Sequence, residues 1–202
     1  MEENKIEENN NNKIVEVNNN VSQELQNFAG QWKIAVQLAK SDLVPDHFKG
    51  KPENVIIGLQ LANQIGIAPF TVLQNLSIVR GKASFSGSFC RTLIEKTNLY
   101  KDIDLIYVGE KKSDDYGCYL QAVRKSDGKI IKGPVVDMKM VKAEGWSKNP
   151  KWNTMTDLML GYRATAFFCR LNCPGVLSGV MVEGESEDIS YNEANNVTGD
   201  IL

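Results

Sequence analysis

The stretch from about Thr154 to Asn172 constrains this chain most. Its pattern is helical, and Leu158, Met159, Leu160, Ala164, Ala166, Phe167, Phe168, Cys169 and Leu171 surround it with apolar or small side chains. A helix apolar nearly all round is mostly buried, so the rest of the chain must supply elements that cover it. Two cations interrupt it. Arg163 and Arg170 stand seven residues apart, about two turns, which places them within roughly 20° of each other. A buried guanidinium needs a polar or anionic partner, because an uncompensated buried charge is very costly. Asp157, the only acid of the helix, precedes Arg163 by six residues, about 120° around the axis and out of direct reach. The partner therefore comes from another element, as a core carboxylate or a set of backbone carbonyls, or from outside, as phosphate oxygens in a groove. The guanidinium fork is well shaped for the last.

The covering elements can be read in order. From Leu25 to Lys40, Phe28, Trp32, Ala35, Val36 and Ala39 recur at three- and four-residue steps, the mark of an amphipathic helix. Pro45 ends it. Pro52 suits a first helical turn, Val55, Ile56, Leu59 and Ala62 give the next helix an apolar face, and Gly66 and Pro69 close it. In LSIVRGKASFSG two β-prone runs flank Arg80-Gly81-Lys82, which predicts a hairpin with a basic tip. Residues 88–98 read as helix. IDLIYVG, YGCYLQAVR and KIIKGPVV read as three strands, with Ser126-Asp127-Gly128 as a turn between the last two. MKMVKAEGW is helical, Asn149-Pro150 breaks it, and the long helix follows. The expectation is an α+β fold: an antiparallel β-sheet, hairpin plus three-stranded meander, packed with helices.

Both ends differ from this body. Residues 1–21 are asparagine-rich and carry five acids and two lysines, and residues 183–202 carry six acids and no Lys or Arg. Such segments bury too little apolar surface to order themselves, so three parts are expected: a disordered tail over 1–21, one core domain over 22–182, and a disordered acidic tail over 183–202. The overall charge of −2 hides a division into −3, +7 and −6. A basic body between acidic tails suggests a polyanionic partner, with the tails keeping the free protein soluble. The start has no basic region followed by an apolar one, and no apolar run reaches the roughly 18 residues of a membrane span. A cytoplasmic protein without membrane contact is expected.

Enzyme signatures are weak. The sequence has no GxxxxGK[ST] loop, no GxGxxG after a strand and no GxSxG elbow. His47, the one histidine, reads as a surface loop residue, and Asp102 and Asp104 as solvated residues at a strand start rather than as part of a two-metal nuclease centre. Cys90, Cys118, Cys169 and Cys173 form no CxxC pair and read as reduced thiols packed like small apolar groups. No enzyme, no cofactor and no metal are expected.

The informative segment is KMVKAEGWSKNPKWNTMTDLMLGYRATAFFCRL, residues 139–171. Lys139, Lys142, Lys148, Lys151, Arg163 and Arg170 face only Glu144 and Asp157, and Trp146 and Trp152 are interleaved with the lysines. Single-stranded nucleic acid asks for cations along its phosphates and flat faces against its bases. A solvated basic loop, anchored to the core by two tryptophans, has the same pattern.

The pattern GW-x-K-x-P-x-W, then ML-x-x-RA-x-x-x-x-x-R-L, then GV-L-x-GV resembles the RecT family of phage single-strand annealing proteins. LAKSDLVPDHFKGKPENVIIGLQLANQIGIAPFTVLQNLSIVRGKASFSG is similar to that family's N-terminal core, and the resemblance spans roughly Phe28 to Glu183. It implies ATP-independent recombination, in which a homo-oligomeric ring or filament lays single-stranded DNA in a basic groove and presents its bases for pairing. It also implies a phage exonuclease or a host single-strand-binding protein as partner. Trp152, Arg163 and Arg170 fall on the family's groove positions, whereas Asp157 stands where a relative carries a basic residue. The expected DNA contacts are Lys139, Lys142, Lys148, Lys151, Arg163 and Arg170 on phosphates, and Trp152, with Trp146, packing on the strand or shaping the groove. Arg80 and Lys82 are expected on the opposite wall.

Overall fold

The computed structural model describes residues 23, 25–79 and 81–182. Both expected tails and Arg80 lie outside these residues. The chain divides into two compact units between Gln74 and Asn75.

The first unit is helical. Helix α1 covers residues 25–38, α2 Pro52–Ile65 and α3 Pro69–Asn75, whose last residue passes into the second unit. Helix α2 follows its sequence signals: Pro52 opens it, Val55, Ile56, Leu59 and Ala62 are buried, and Gly66 at φ 64° caps its end through the Ala62 and Asn63 carbonyls. The left-handed conformation there suits glycine, which has no Cβ to clash. Helix α1 follows its signals in part. Ala35 and Ala39 are buried, but Phe28 is 48% and Trp32 39% exposed. Periodicity finds the apolar face of a helix without saying what covers it. Helix α3 has no counterpart in the sequence reading; its 7 residues are too few for a period to show.

The second unit is α+β. Strands β1 (Leu76–Val79) and β2 (Lys82–Phe85) form the expected hairpin, with Val79 opposite Lys82. Lys82 therefore belongs to the second strand, and Gly81, at φ 77°, makes the turn. Strand β7 (Met181–Val182) adds to β2 in parallel, so the hairpin belongs to a small mixed sheet of its own rather than to one antiparallel sheet with the meander. After α4 (Gly87–Lys96), capped by the Ser86 hydroxyl on the Phe89 N–H, comes the second sheet. It holds β3 (Tyr100–Val108), β4 (Gly117–Arg124) and β5 (Ile130–Lys132) in that order. The expected third strand is split. Pro134 has no N–H for the ladder, so β5 stops at Lys132 and a separate β6 (Val136–Asp137) pairs with the other end of β4.

Helix α7 (Thr156–Asn172) packs on this sheet and on α4. It is largely buried, as its composition requires: Leu160, Ala164, Ala166, Phe168 and Cys169 are all inside. Gly161 allows close approach, since a Cβ there would lie 2.8 Å from Leu105 Cδ1. The Tyr100 hydroxyl donates to the Asn172 carbonyl at 3.0 Å and fixes the helix end to the sheet. All four cysteines are free and buried. Among the described residues, no single helix is long and apolar enough to cross a membrane.

Candidate functional site

The segment between the meander and α7 turns sharply several times, and each turn has a local cause. Asp137 starts α5 (Met138–Ala143), its carboxylate accepting the Met140 N–H at 2.7 Å. Such a cap contributes about 1 kcal/mol. Gly145, at φ 71°, ends that helix, and a 3₁₀ turn follows over Trp146–Lys148. Asn149-Pro150 then leads into α6 (Lys151–Thr154), and Met155, at φ −135°, separates α6 from α7. These elements pack on one another. The lysines point outward and the tryptophans are covered to different degrees: Lys139, Lys142, Lys148 and Lys151 are exposed, Trp146 is partly buried and Trp152 is 4% exposed.

The two tryptophans stack, with centroids 5.6 Å apart and planes 24° from parallel. Arg163 lies over the Trp146 ring, its Cζ 3.8 Å from that centroid and 6.0 Å from that of Phe167. A desolvated cation on an aromatic face contributes about 2 kcal/mol or more. The partner from another element that the sequence demanded thus includes a ring face. Arg163 is only 6% exposed. Expected to hold a phosphate, it lies within the core against the face of Trp146. Trp152 is 4% exposed, and its burial fits the second of its expected roles, shaping the groove. Arg170 is half-buried at the far end of α7 and donates to the Val180 carbonyl at 3.3 Å, tying the approach to β7 to the helix.

A cavity of about 440 Å³ opens beside Trp152. Its walls come from the β3–β4 loop, α5, α6 and the first turn of α7. They include Lys111, Lys112, Asp114, Tyr116, Lys142, Trp152, Asn153, Thr156 and Asp157. Pockets for small ligands or ligand fragments run from about 300 Å³ upward. Of the residues expected at the site, the fold brings Lys142 and Trp152 to this cavity. It places Lys139, Lys148 and Lys151 on the neighbouring surface of the same segment, Lys82 on the separate hairpin sheet, and Arg163 and Arg170 elsewhere along α7.

Charges at the cavity are coupled. Lys111 Nζ lies 2.8 Å from Asp157 Oδ2, and Lys142 Nζ pairs with Asp114 Oδ1. The Tyr116 hydroxyl donates to Asp157 Oδ1 at 2.7 Å, and the Tyr107 hydroxyl to the Asp157 carbonyl oxygen at 2.8 Å. The Lys111 ammonium, and then the Tyr116 hydroxyl, hold the Asp157 carboxyl below the usual carboxylate range. Burial pushes the Tyr107 phenol up to about 12. The Lys139 N–H donates to the Asp114 carbonyl at 2.8 Å and anchors the loop to α5.

Lys111, Lys112 and Tyr116 were not among the residues singled out from sequence. Their signal was the run GEKKSDDYG between two strands, a charged hairpin loop that the fold lays against the basic segment. No family model, characterised protein or solved structure matches the chain.

Proposed function

We propose that the chain is a non-enzymatic protein that binds single-stranded DNA and anneals complementary strands without ATP, in the manner of the RecT family it resembles. One observation carries the reading. Lys111, Lys112 and Lys142 meet at a cavity walled in part by Tyr116 and Trp152, and Lys139, Lys148 and Lys151 are exposed on the adjoining segment. Annealing breaks and forms no covalent bond. It needs the phosphates neutralised while the base edges stay free to pair, and lysines suit that task as mobile point charges on long stems. Trp146, Trp152 and Arg163 give the lysines a stiff floor; the ring stack holds the bend between α5 and α7. The partners proposed are single-stranded DNA, the annealed duplex, further copies of the chain in a ring or filament, and a phage exonuclease or host single-strand-binding protein, in the cytoplasm of a bacterial host.

A second reading, a protein-interaction module with a basic face, is favoured by the exposure of Lys139, Lys142, Lys148 and Lys151 along one segment, since a basic face also suits an acidic protein. One experiment separates the two. Two complementary oligonucleotides are added in sequence to the protein without ATP, and duplex formation is followed by fluorescence quenching with and without an acidic peptide as competitor. The proposal expects annealing faster than the spontaneous rate, with the DNA outcompeting the peptide. No acceleration, together with displacement of the DNA by peptide, rejects it in favour of the second.

A further inference from the structure

Two of the three lysines at the cavity already have carboxylate partners, and those carboxylates line the same cavity. Lys111 is paired with Asp157 and Lys142 with Asp114. All four side chains are about half or more exposed, and ion pairs of that kind are weak and readily exchanged. Asp157 is held in place independently of Lys111, by the Tyr116 hydroxyl on its carboxylate and the Tyr107 hydroxyl on its carbonyl. It therefore stays at the wall when its lysine leaves. Three lysines against two aspartates leave the cavity a single positive charge in excess.

We infer that this cavity is a phosphate site kept in a resting state by Asp114 and Asp157. An incoming phosphate draws Lys111 and Lys142 away from the two carboxylates and meets Lys112 as a third cation. The carboxylates occupy the lysines in the free protein as a phosphate does in the complex, and they oppose the phosphate once it arrives. Binding at any one phosphate is correspondingly weak, and the strand is released as readily as it is held. This suits a protein that must let one strand find another. The inference rests on the reading above for the source of the phosphate, a diester of a DNA strand; free phosphate shares the chemistry.

The test uses the full chain and the isosteric variants Asp114→Asn, Asp157→Asn and their combination, with Asp127→Asn as control. Asp127 is also ion-paired, to Arg124 and Lys129, but it lies outside the cavity. Its replacement changes net charge by the same amount as either single cavity variant. Fluorescence anisotropy of labelled oligo(dT) at low salt is expected to show each cavity variant binding about two- to fivefold more tightly and the double variant about tenfold, with the control within twofold of wild type. A double variant that binds no more tightly than the control overturns the inference while leaving the DNA reading intact. If no form of the protein binds oligo(dT), the DNA reading fails, and pyrophosphate titrated against tryptophan emission decides the cavity. Tighter binding by the double variant supports the phosphate site, and equal or absent binding overturns it.

Discussion

Replacing Arg163 separates a residue that shapes the site from one that touches the ligand. In the structure the residue is 6% exposed, and its guanidinium carbon lies 3.8 Å from the Trp146 centroid. Arg163→Ala removes the stem packing, a loss of about 2–5 kcal/mol for a long buried side chain, and a ring contact of about 2 kcal/mol. Relief of burying a charge offsets part of this. A net loss of about 2–4 kcal/mol lowers the melting temperature by roughly 4–16 °C, at about 2–4 °C per kcal/mol for a chain of this size. Arg163→Met keeps most of the stem packing but loses the guanidinium and its ring contact, so it recovers about 2 kcal/mol of that deficit. Thermal unfolding measures both variants, and oligo(dT) anisotropy at a temperature where both are folded gives affinity. For a brace, Arg163→Met binds DNA within about threefold of wild type. For a direct phosphate contact, loss of a charged hydrogen bond of about 1.5–3 kcal/mol weakens binding tenfold or more. A methionine variant as stable as wild type that binds DNA tenfold more weakly refutes the brace.

Gly109→Ala is expected to destabilise the β3–β4 loop by about 2–4 kcal/mol, from an unfavourable left-handed conformation together with steric overlap. Gly109 has φ 76°, and an added Cβ would collide with the Asp115 carbonyl oxygen and lie 2.9 Å from the Tyr116 N. Chemical denaturation measures the loss, and DNA binding should weaken with it because the loop carries Lys111 and Lys112. Burial holds the Tyr107 phenol protonated until about pH 12, so the unfolded chain ionises first above about pH 10 and stability falls as pH rises through that window. Phenolate absorbance of the folded protein should show a late-titrating group that Tyr107→Phe removes. Burial likewise pushes the Cys118 thiol up to about 11, so a neutral-pH thiol reagent should modify it only after unfolding; prompt reaction in the native state contradicts its placement.

The fold was most legible where local chemistry and tertiary packing agree. Helix α2 has proline at its start, glycine at its end and a regular apolar face, and the turn at Gly128, φ 70°, has the residue its backbone requires. Helix α7 declared its own burial. Strand β7 did not, because two residues are held by their partner and have no period of their own. Within the site, Lys142 and Trp152 were visible as a basic and aromatic alternation along one segment. Lys111 and Lys112 were not, because they reach the cavity from a loop some thirty residues earlier, and loop lysines are ordinarily solvated. Arg163 shows a different gap. Charge counting along the helix correctly required a partner from elsewhere, but a ring face carries no formal charge and escapes such a count.

Whether lysines of the β3–β4 loop and the 139–151 segment neutralise the phosphates of a single strand is decided by the salt dependence of oligo(dT) binding. Each phosphate contact on a single strand contributes about 0.7 to the slope of log affinity against log salt concentration. Replacing Lys112, Lys148 and Lys151 together by glutamine, in a protein whose melting temperature is unchanged, should reduce the magnitude of that slope by about 2. A slope equal to wild type, or no binding by the wild-type protein at low salt, contradicts that role.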